Sequence, residues 1–462
     1  MTDRLSALDV SFLYMETPTT AMHVGGVAVF EPPESGFDYD RLVELISQRI
    51  GLVPRYRQKV RWVPGHLANP VWVDDPDFDV TYHVRRSALP RPGTDAQLRD
   101  LVGRLQSRQL DRNRPLWEIY LVEGLSDGRV GIITKTHHAM VDGVSAVDIG
   151  TVILDLEPTP REVPDDDWQP KKGPSTVGLV TGAVTDFLAK PTGVLETARA
   201  AVVDARATAG KVASLAGGML AQAKTIARQA PDMPLNVPIG EQRRFGMAAT
   251  SLDDYKRIRK AHGGTVNDVV LATVAGALRA WLLTRGETVT PTTTVRAMVP
   301  VSVRSDTQKG ELGNRVSSYF VDLPVGEQSP VVRLHQVSYA MKAHKESGAA
   351  VGADALVQLT GFAPPTIHSL ASRTASTLTR RLFNLVVTNV PGPQFPLYAA
   401  GARMLAMYPV VPLAKNQAVS IGLTSYDGGV YYGLNADRDA MADIDVLAAC
   451  IEDSLAELLG TT

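Results

Sequence analysis

Seven consecutive residues, His137-His138-Ala139-Met140-Val141-Asp142-Gly143, bring two imidazoles and a carboxylate together. They follow an apolar run at 131–136 (GIITKT) that reads as a strand and precede a stretch with helical spacing. A strand end gives a loop a rigid base, Gly143 permits a tight turn, and a neutral imidazole takes up a proton near neutral pH. The pattern therefore suits a general base aimed into a cleft. The bland alternative is a pair of histidines satisfied in a polar turn. A metal reading also competes, because His138 and Asp142 are four residues apart. No second His/Asp/Glu cluster with familiar ligand spacing supplies the remaining ligands, and there is no His-Glu-x-x-His, so neither a metal nor a cofactor is expected.

Nucleophilic and phosphate chemistry find less support. There is no Gly-x-Ser-x-Gly elbow, and Cys450 sits in a helical, apolar pattern at 445–459 (DVLAACIEDSLAELL) that reads as packing. Gly263-Gly264 lacks the later Gly-Lys-Ser/Thr of a phosphate loop, and Gly25-Gly26 falls inside a strand pattern. What remains is a histidine acting on a hydroxyl or amine that a substrate brings.

The elements that must position this histidine are mixed. Residues 22–30 (MHVGGVAVF) and 116–122 (LWEIYLV) are β-rich, and 143–156 resumes helical spacing through Val144, Val147 and Thr151. From 157 to 244 the texture changes to an acidic, Pro-bearing piece followed by Gly/Ala-rich sequence. There Leu195, Ala198 and Val202, then Val212, Leu215 and Met219, recur at helical spacing. Residues 171–230 carry eight Lys/Arg against three Asp/Glu. Helices packed over a domain junction are the first reading of this stretch, and contact with a membrane or lipid-droplet surface is the second. A further globular portion starts near Phe245, with a helix start at Ser251-Leu252-Asp253-Asp254 and an apolar helix at 269–283. β-rich runs follow at 315–323, 383–388, 418–424 and 430–434. The expected organisation is α/β (α+β): 1–156 with the histidine motif, 157–244 as a linker with amphipathic helices, and 245–462 as a second domain.

Composition removes several function classes. The 462 residues hold 47 Lys/Arg against 49 Asp/Glu, so the formal charge of -2 offers no bulk attraction to nucleic acid. A single cysteine excludes an internal disulfide and a Cys-rich zinc site, and a reducing cytosol is the expected compartment. Asp3, Arg4 and Asp9 interrupt the apolar core that a signal peptide needs. The long uncharged stretch 382–402 carries Asn384, Asn389, Pro391, Pro393 and Pro396, so it cannot run as one helix through lipid. No transmembrane helix is expected. That run and 404–414 suit either a tunnel lining or buried central strands.

The 137–143 segment resembles the HHxxxDG signature of the acyltransferase superfamily that includes chloramphenicol acetyltransferase and peptide-synthetase condensation domains. Further segments are similar to the bacterial wax ester synthase/diacylglycerol acyltransferase family: LSALDVSF (5–12), AMHVGG (21–26), PLWE (115–118), NDVVLA (267–272), VPVSVR (299–304), Gly313-Asn314 and TNVPGP (388–393). The resemblance implies two chloramphenicol-acetyltransferase-like domains with a tunnel at their interface. It implies an acyl-CoA-dependent O-acyltransferase that esterifies diacylglycerol or a long-chain fatty alcohol without an acyl-enzyme. His138 would be the base. Asn267 would help meet the oxyanion or merely cap its helix. Asp142 would pair with Arg304 to hold the loop, rather than orient His138 as a triad carboxylate, with His137 packed behind. PLWE would lie on a strand near the motif, with packing its first reading. Two other functions compete: a related enzyme acting on a glycolipid or secondary-metabolite alcohol, or from a carrier protein, and a non-catalytic lipid-binding or droplet protein. The expected location is cytoplasmic, or peripheral at the inner membrane or a droplet.

Overall fold

β-branched and aromatic residues decide where strands form, and cross-strand pairing sorts those strands into two sheets. The computed structural model describes residues 3–141, 149–189, 229–302, 316–346, 351–352 and 382–462. The N-terminal strands are β1 (His23–Glu31), β2 (Gln58–Arg61), β3 (Val71–Asp74), β4 (Val84–Ala88), β5 (Trp117–Glu123) and β6 (Val130–His137). The accompanying helices are α1 (Ala7–Met15), α2 (Tyr39–Arg49), α3 (Val80–His83), α4 (Asp95–Gln106), α5 (His138–Val141), α6 (Ile149–Ile153) and α7 (Thr176–Ala189). Further along come β7 (Arg243–Ser251), α8 (Leu252–His262), α9 (Val266–Thr284), β8 (Val295–Ser302), β9 (Val316–Leu323) and α10 (Pro330–Glu346). The chain continues through β10 (Val351–Gly352), β11 (Leu385–Pro391), β12 (Tyr398–Ala399), β13 (Ala402–Val410), β14 (Val419–Tyr426), β15 (Gly429–Asp437) and α11 (Ile444–Leu459). Each of the strand runs named above appears as a strand, and the helices expected at 252, 269–283 and 445–459 appear as helices.

The first sheet has the order β12-β13-β1-β6-β5-β4, and the second the order β10-β9-β8-β11-β14-β15-β7. β1 lies antiparallel between β6 and β13, with Gly25 opposite Lys135 on one side and Val410 on the other. Residues 398–410 fall inside the expected 245–462 portion, yet they hydrogen-bond into the sheet of the N-terminal residues. This crossover passes close against the second sheet at two facing glycines, Gly422 of β14 and Gly433 of β15. A Cβ on Gly433 would stand 1.9 Å from Pro409 O, and one on Gly422 2.7 Å from Val411 Cγ2. The run at 404–414 is thus largely strand, with β13 half-buried along its middle.

α9 fills the centre of the second core. Among the described residues it is the helix long and apolar enough, by length and composition, to cross a membrane, but most of it is buried. It packs on α10 and α11, and its Trp281 donates from Nε1 to Asp443 Oδ2 at 3.0 Å. The two portions join where α4 crosses β7, and Gly103 makes that possible: a Cβ there would lie 2.7 Å from Arg243 O. Arg243 closes the junction, donating from its backbone N to Ser107 Oγ (2.8 Å) and from Nη2 to Thr19 O (2.5 Å).

The acidic, Pro-bearing piece after residue 156 is a strap over the first unit. Asp166 pairs with Arg57 at 2.5 Å, Trp168 lies under the same guanidinium at 4.4 Å, and Lys171 N donates to Asp74 Oδ2 at 3.0 Å. Leu179 of α7 is buried with Val63, Val71 and Val73. The amphipathic helices expected around Leu195 to Met219 lie outside the described residues.

Candidate active site

β6 ends at His137 and α5 begins at His138, so the second histidine stands at a strand-to-helix joint. Backbone bonds fix that joint from both sides. His137 N donates to Leu116 O (2.9 Å) and His138 N to Met22 O (2.8 Å), so AMHVGG and PLWE frame the motif. Gly25 permits the close pairing of β1 with β6, since a Cβ there would meet Thr134 O at 1.9 Å. The side chain of His138 is half-buried and stacks on Phe12, ring centroids 4.0 Å apart and planes 24° apart. Phe12 is carried by α1, whose start is fixed by a reciprocal cap: Ser6 Oγ accepts from Asp9 N, and Asp9 accepts from Ser6 N. LSALDVSF therefore builds the helix that places Phe12 against the His138 ring.

His137 is fully buried. Its Nδ1 accepts from Ala139 N at 3.1 Å, and its Nε2 is 3.7 Å from Glu16 Oε2. Glu16 also accepts from Met22 N (3.2 Å) and from Arg112 through Nε (3.0 Å) and Nη2 (2.7 Å). Burial pushes the Glu16 carboxyl up, but His137 and the bidentate Arg112 outweigh it and hold the group at about 2.

Behind this pair lies the C-terminal end of α4. Lys135 Nζ donates to Leu105 O (3.1 Å) and to Arg108 O, and His23 Nε2 donates to Gln106 O (3.1 Å). Cationic and N–H donors thus satisfy the carbonyls that a helix leaves open at its end. Burial lowers Lys135 to about 8, with Glu118 working against the shift. Glu118 of PLWE accepts from Tyr120 OH (2.6 Å) and pairs with Arg85 at 3.1 Å. Trp117 donates from Nε1 to Tyr56 O (2.7 Å) and stacks on His83 at 4.5 Å. PLWE is therefore a buried support beneath the motif.

This buried set gives stability a pH dependence. Burial lowers both His23 and His137 from the ordinary imidazole value. Below about pH 6.5 the unfolded chain takes up protons that these folded imidazoles refuse, so their stabilising share is complete above that pH and is lost as pH falls. Glu16 adds a loss of the same sign between 4.5 and about 2. The unfolding free energy read from urea titrations is expected to fall between pH 7.5 and 5, by up to about 1.4 kcal/mol per pH unit for each imidazole, and the urea midpoint with it. A flat midpoint across that range would contradict it. On the alkaline side Lys135 acts in the same sense, its depressed value making stability rise with pH between about 8 and its ordinary 10.5.

Asn267 is the second residue of α9. The capping role weighed for it belongs instead to Thr265, whose hydroxyl accepts from Asp268 N while Asp268 accepts from Thr265 N. This leaves the Asn267 side chain to another partner, and its Oδ1 accepts from Asn389 Nδ2 at 3.1 Å. NDVVLA and TNVPGP meet through that bond. Asp142, Gly143 and Arg304 lie outside the described residues. Among the described residues no group of three or more His, Cys, Asp or Glu is arranged to hold a metal. Sequence reasoning assigned no role to Glu16, Arg112, Phe12 or Asn389. Phe12 and Asn389 stood inside quoted motifs, whereas Glu16 and Arg112 carried no local signal.

The sequence pattern of the wax ester synthase/diacylglycerol acyltransferase catalytic domain matches residues 5–270, and that of the family's C-terminal domain matches 312–459. The chain belongs to this family. It is 46% identical over 260 residues to the probable diacylglycerol O-acyltransferase tgs3 of Mycobacterium tuberculosis, covering 56% of this chain and 96% of that protein. It is 35% identical to tgs1 of the same organism, also named a probable diacylglycerol O-acyltransferase, over 99% of this chain and 96% of that one. Among solved structures, the wax ester synthase/diacylglycerol acyltransferase of Marinobacter aquaeolei VT8 superposes with a TM-score of 0.71 at 30% identity, covering 99% and 98% of the two chains. The first condensation domain of the CDA synthetase shares the fold, with a TM-score of 0.57 at 15% identity and coverage of 99% and 96%. This wax ester synthase/diacylglycerol acyltransferase family member is an O-acyltransferase with the two-domain α/β fold of condensation domains.

Proposed function

We propose that the chain transfers the acyl group of a long-chain acyl-CoA to the free hydroxyl of a diacylglycerol, with His138 as general base. The observation that carries this reading is the placement of His138 at the β6–α5 joint with its ring held by Phe12, in a chain whose relatives are named diacylglycerol O-acyltransferases. The imidazole takes the hydroxyl proton as the alcohol oxygen bonds to the thioester carbonyl carbon. Collapse of the tetrahedral intermediate breaks the carbon–sulfur bond, and the thiolate takes the proton back and leaves as free CoA. Holding both substrates at the base supplies much of the rate. Asn267, with its Oδ1 occupied by Asn389, has its amide N–H groups left to meet the developing oxyanion. An Asp142–Arg304 ion pair holding the loop after His138, and an acyl tunnel between the two domains, belong to the same reading. So does a peripheral contact of the basic 171–230 stretch with the lipid surface that supplies the acceptor.

A fatty alcohol presents the same hydroxyl on a long apolar body, and the likeness to the Marinobacter aquaeolei enzyme favours it as a second acceptor. A competition assay decides between them: one labelled long-chain acyl-CoA, equimolar diacylglycerol and hexadecanol, and separation of the esters by polarity. Triacylglycerol is expected to dominate. Predominant wax ester would reverse the assignment of the acceptor, and no ester of either kind would remove it.

A further inference from the structure

We propose that Glu16 is a positioning residue for acyl transfer: its carboxylate, clamped by Arg112, fixes which nitrogen of His137 carries the proton and thereby holds the turn that presents His138. This rests on His138 being the base. The geometry leaves one protonation pattern. An amide N–H can only donate, so His137 Nδ1, 3.1 Å from Ala139 N, must be the bare nitrogen. The ring proton then sits on Nε2, which faces Glu16 Oε2 at 3.7 Å. A carboxylate at that place favours this tautomer, while the other would set N–H against N–H at Ala139 and aim a lone pair at a negative charge.

Ala139 directly follows His138, so the ring of His137 secures an amide of the turn that carries the base. The same carboxylate acts on that turn by two further routes. It accepts from Met22 N (3.2 Å), and Met22 O in turn accepts from His138 N (2.8 Å). It also stands at the C-terminal cap of α1, the helix whose Phe12 stacks on His138. Arg112 holds the carboxylate in register by the two bonds to Oε2 and by a third from Nη2 to Leu13 O at 2.9 Å. A neutral amide at position 16 can donate to Nε2 as easily as accept from it, and so would release the tautomer without emptying the space.

The test compares Glu16→Gln, Glu16→Asp and His138→Ala in the full chain, reading kcat and KM for acyl-CoA alongside ¹⁵N imidazole spectra of histidine-labelled protein. His137 in the parent is expected to carry its proton on Nε2. In Glu16→Gln that preference is lost, and kcat falls about 10- to 100-fold with KM for acyl-CoA little changed, the size expected for a small misplacement of a reacting group. Glu16→Asp recovers part of the rate. A folded Glu16→Gln enzyme that turns over like the parent would overturn the proposal, as would a parent His137 protonated on Nδ1. If Glu16→Gln does not fold, the parent tautomer and the Glu16→Asp rate decide. His138→Ala separates the two claims: if it is inactive while Glu16→Gln is fully active, Glu16 alone is refuted. An active His138→Ala refutes the base, and the His137 spectra still judge Glu16.

Discussion

His138→Ala is expected to lower acyl transfer by roughly 10²- to 10⁴-fold, the range that a positioned general base contributes. The fold should survive, because the side chain is half-buried and what holds the joint is backbone: His138 N to Met22 O and His137 N to Leu116 O. Phe12 would lose a stacking partner but stays on a helix capped by Ser6 and Asp9. Binding of acyl-CoA should change little, since the base acts on the hydroxyl of the other substrate. The loss therefore belongs in kcat. The check is release of free CoA followed with a thiol reagent at saturating acyl-CoA and acceptor. Turnover within a few-fold of the parent would mean that the alcohol is deprotonated elsewhere.

Gly433→Ala is expected to be among the most damaging small substitutions. The new methyl would sit 1.9 Å from Pro409 O and 2.9 Å from Phe245 Cζ. Overpacking of a core ordinarily costs about 1–3 kcal/mol. Here the obstacle is a strand backbone, and β13 has no slack, being hydrogen-bonded to β1 through residues 25–31. The cost should reach or exceed the top of that range. Relief requires β13 to lift off the second sheet, and because β1 pairs His23 with His137, the displacement is felt at the active turn. Unfolding in urea and kcat should both suffer. Gly422→Ala provides the contrast, since its nearest obstacle is Val411 Cγ2, the end of a side chain. Equal stability of Gly433→Ala and the parent would show that the crossover is not wedged against the second sheet.

The local part of this architecture was readable in the sequence. GIITKT followed by His137 and His138 announces a strand that ends in a turn, because β-branched periodicity and the polar break are both local. Thr265-Val266-Asn267-Asp268 likewise contains its own cap, and attention to the Thr-x-x-Asp spacing would have assigned it to Thr265 rather than Asn267. Contacts that depend on distant chain were not readable. The approach of Glu16 to His137 spans 121 positions, and Arg112 reaches Glu16 across 96. Nothing in the composition of 402–410 says that its partner is β1 rather than a neighbour in its own half, because an apolar strand pairs with whichever edge the fold leaves open. Asn389 meeting Asn267 is of the same kind.

The excursion of β13 into the first sheet has a consequence for biosynthesis. A ribosome delivers β1 and β6 early, but the neighbour that completes β1 emerges only when some nine-tenths of the polypeptide has been made. Until then β1 is an open flank with unpaired amides and carbonyls, the kind of surface on which nascent chains stick to one another.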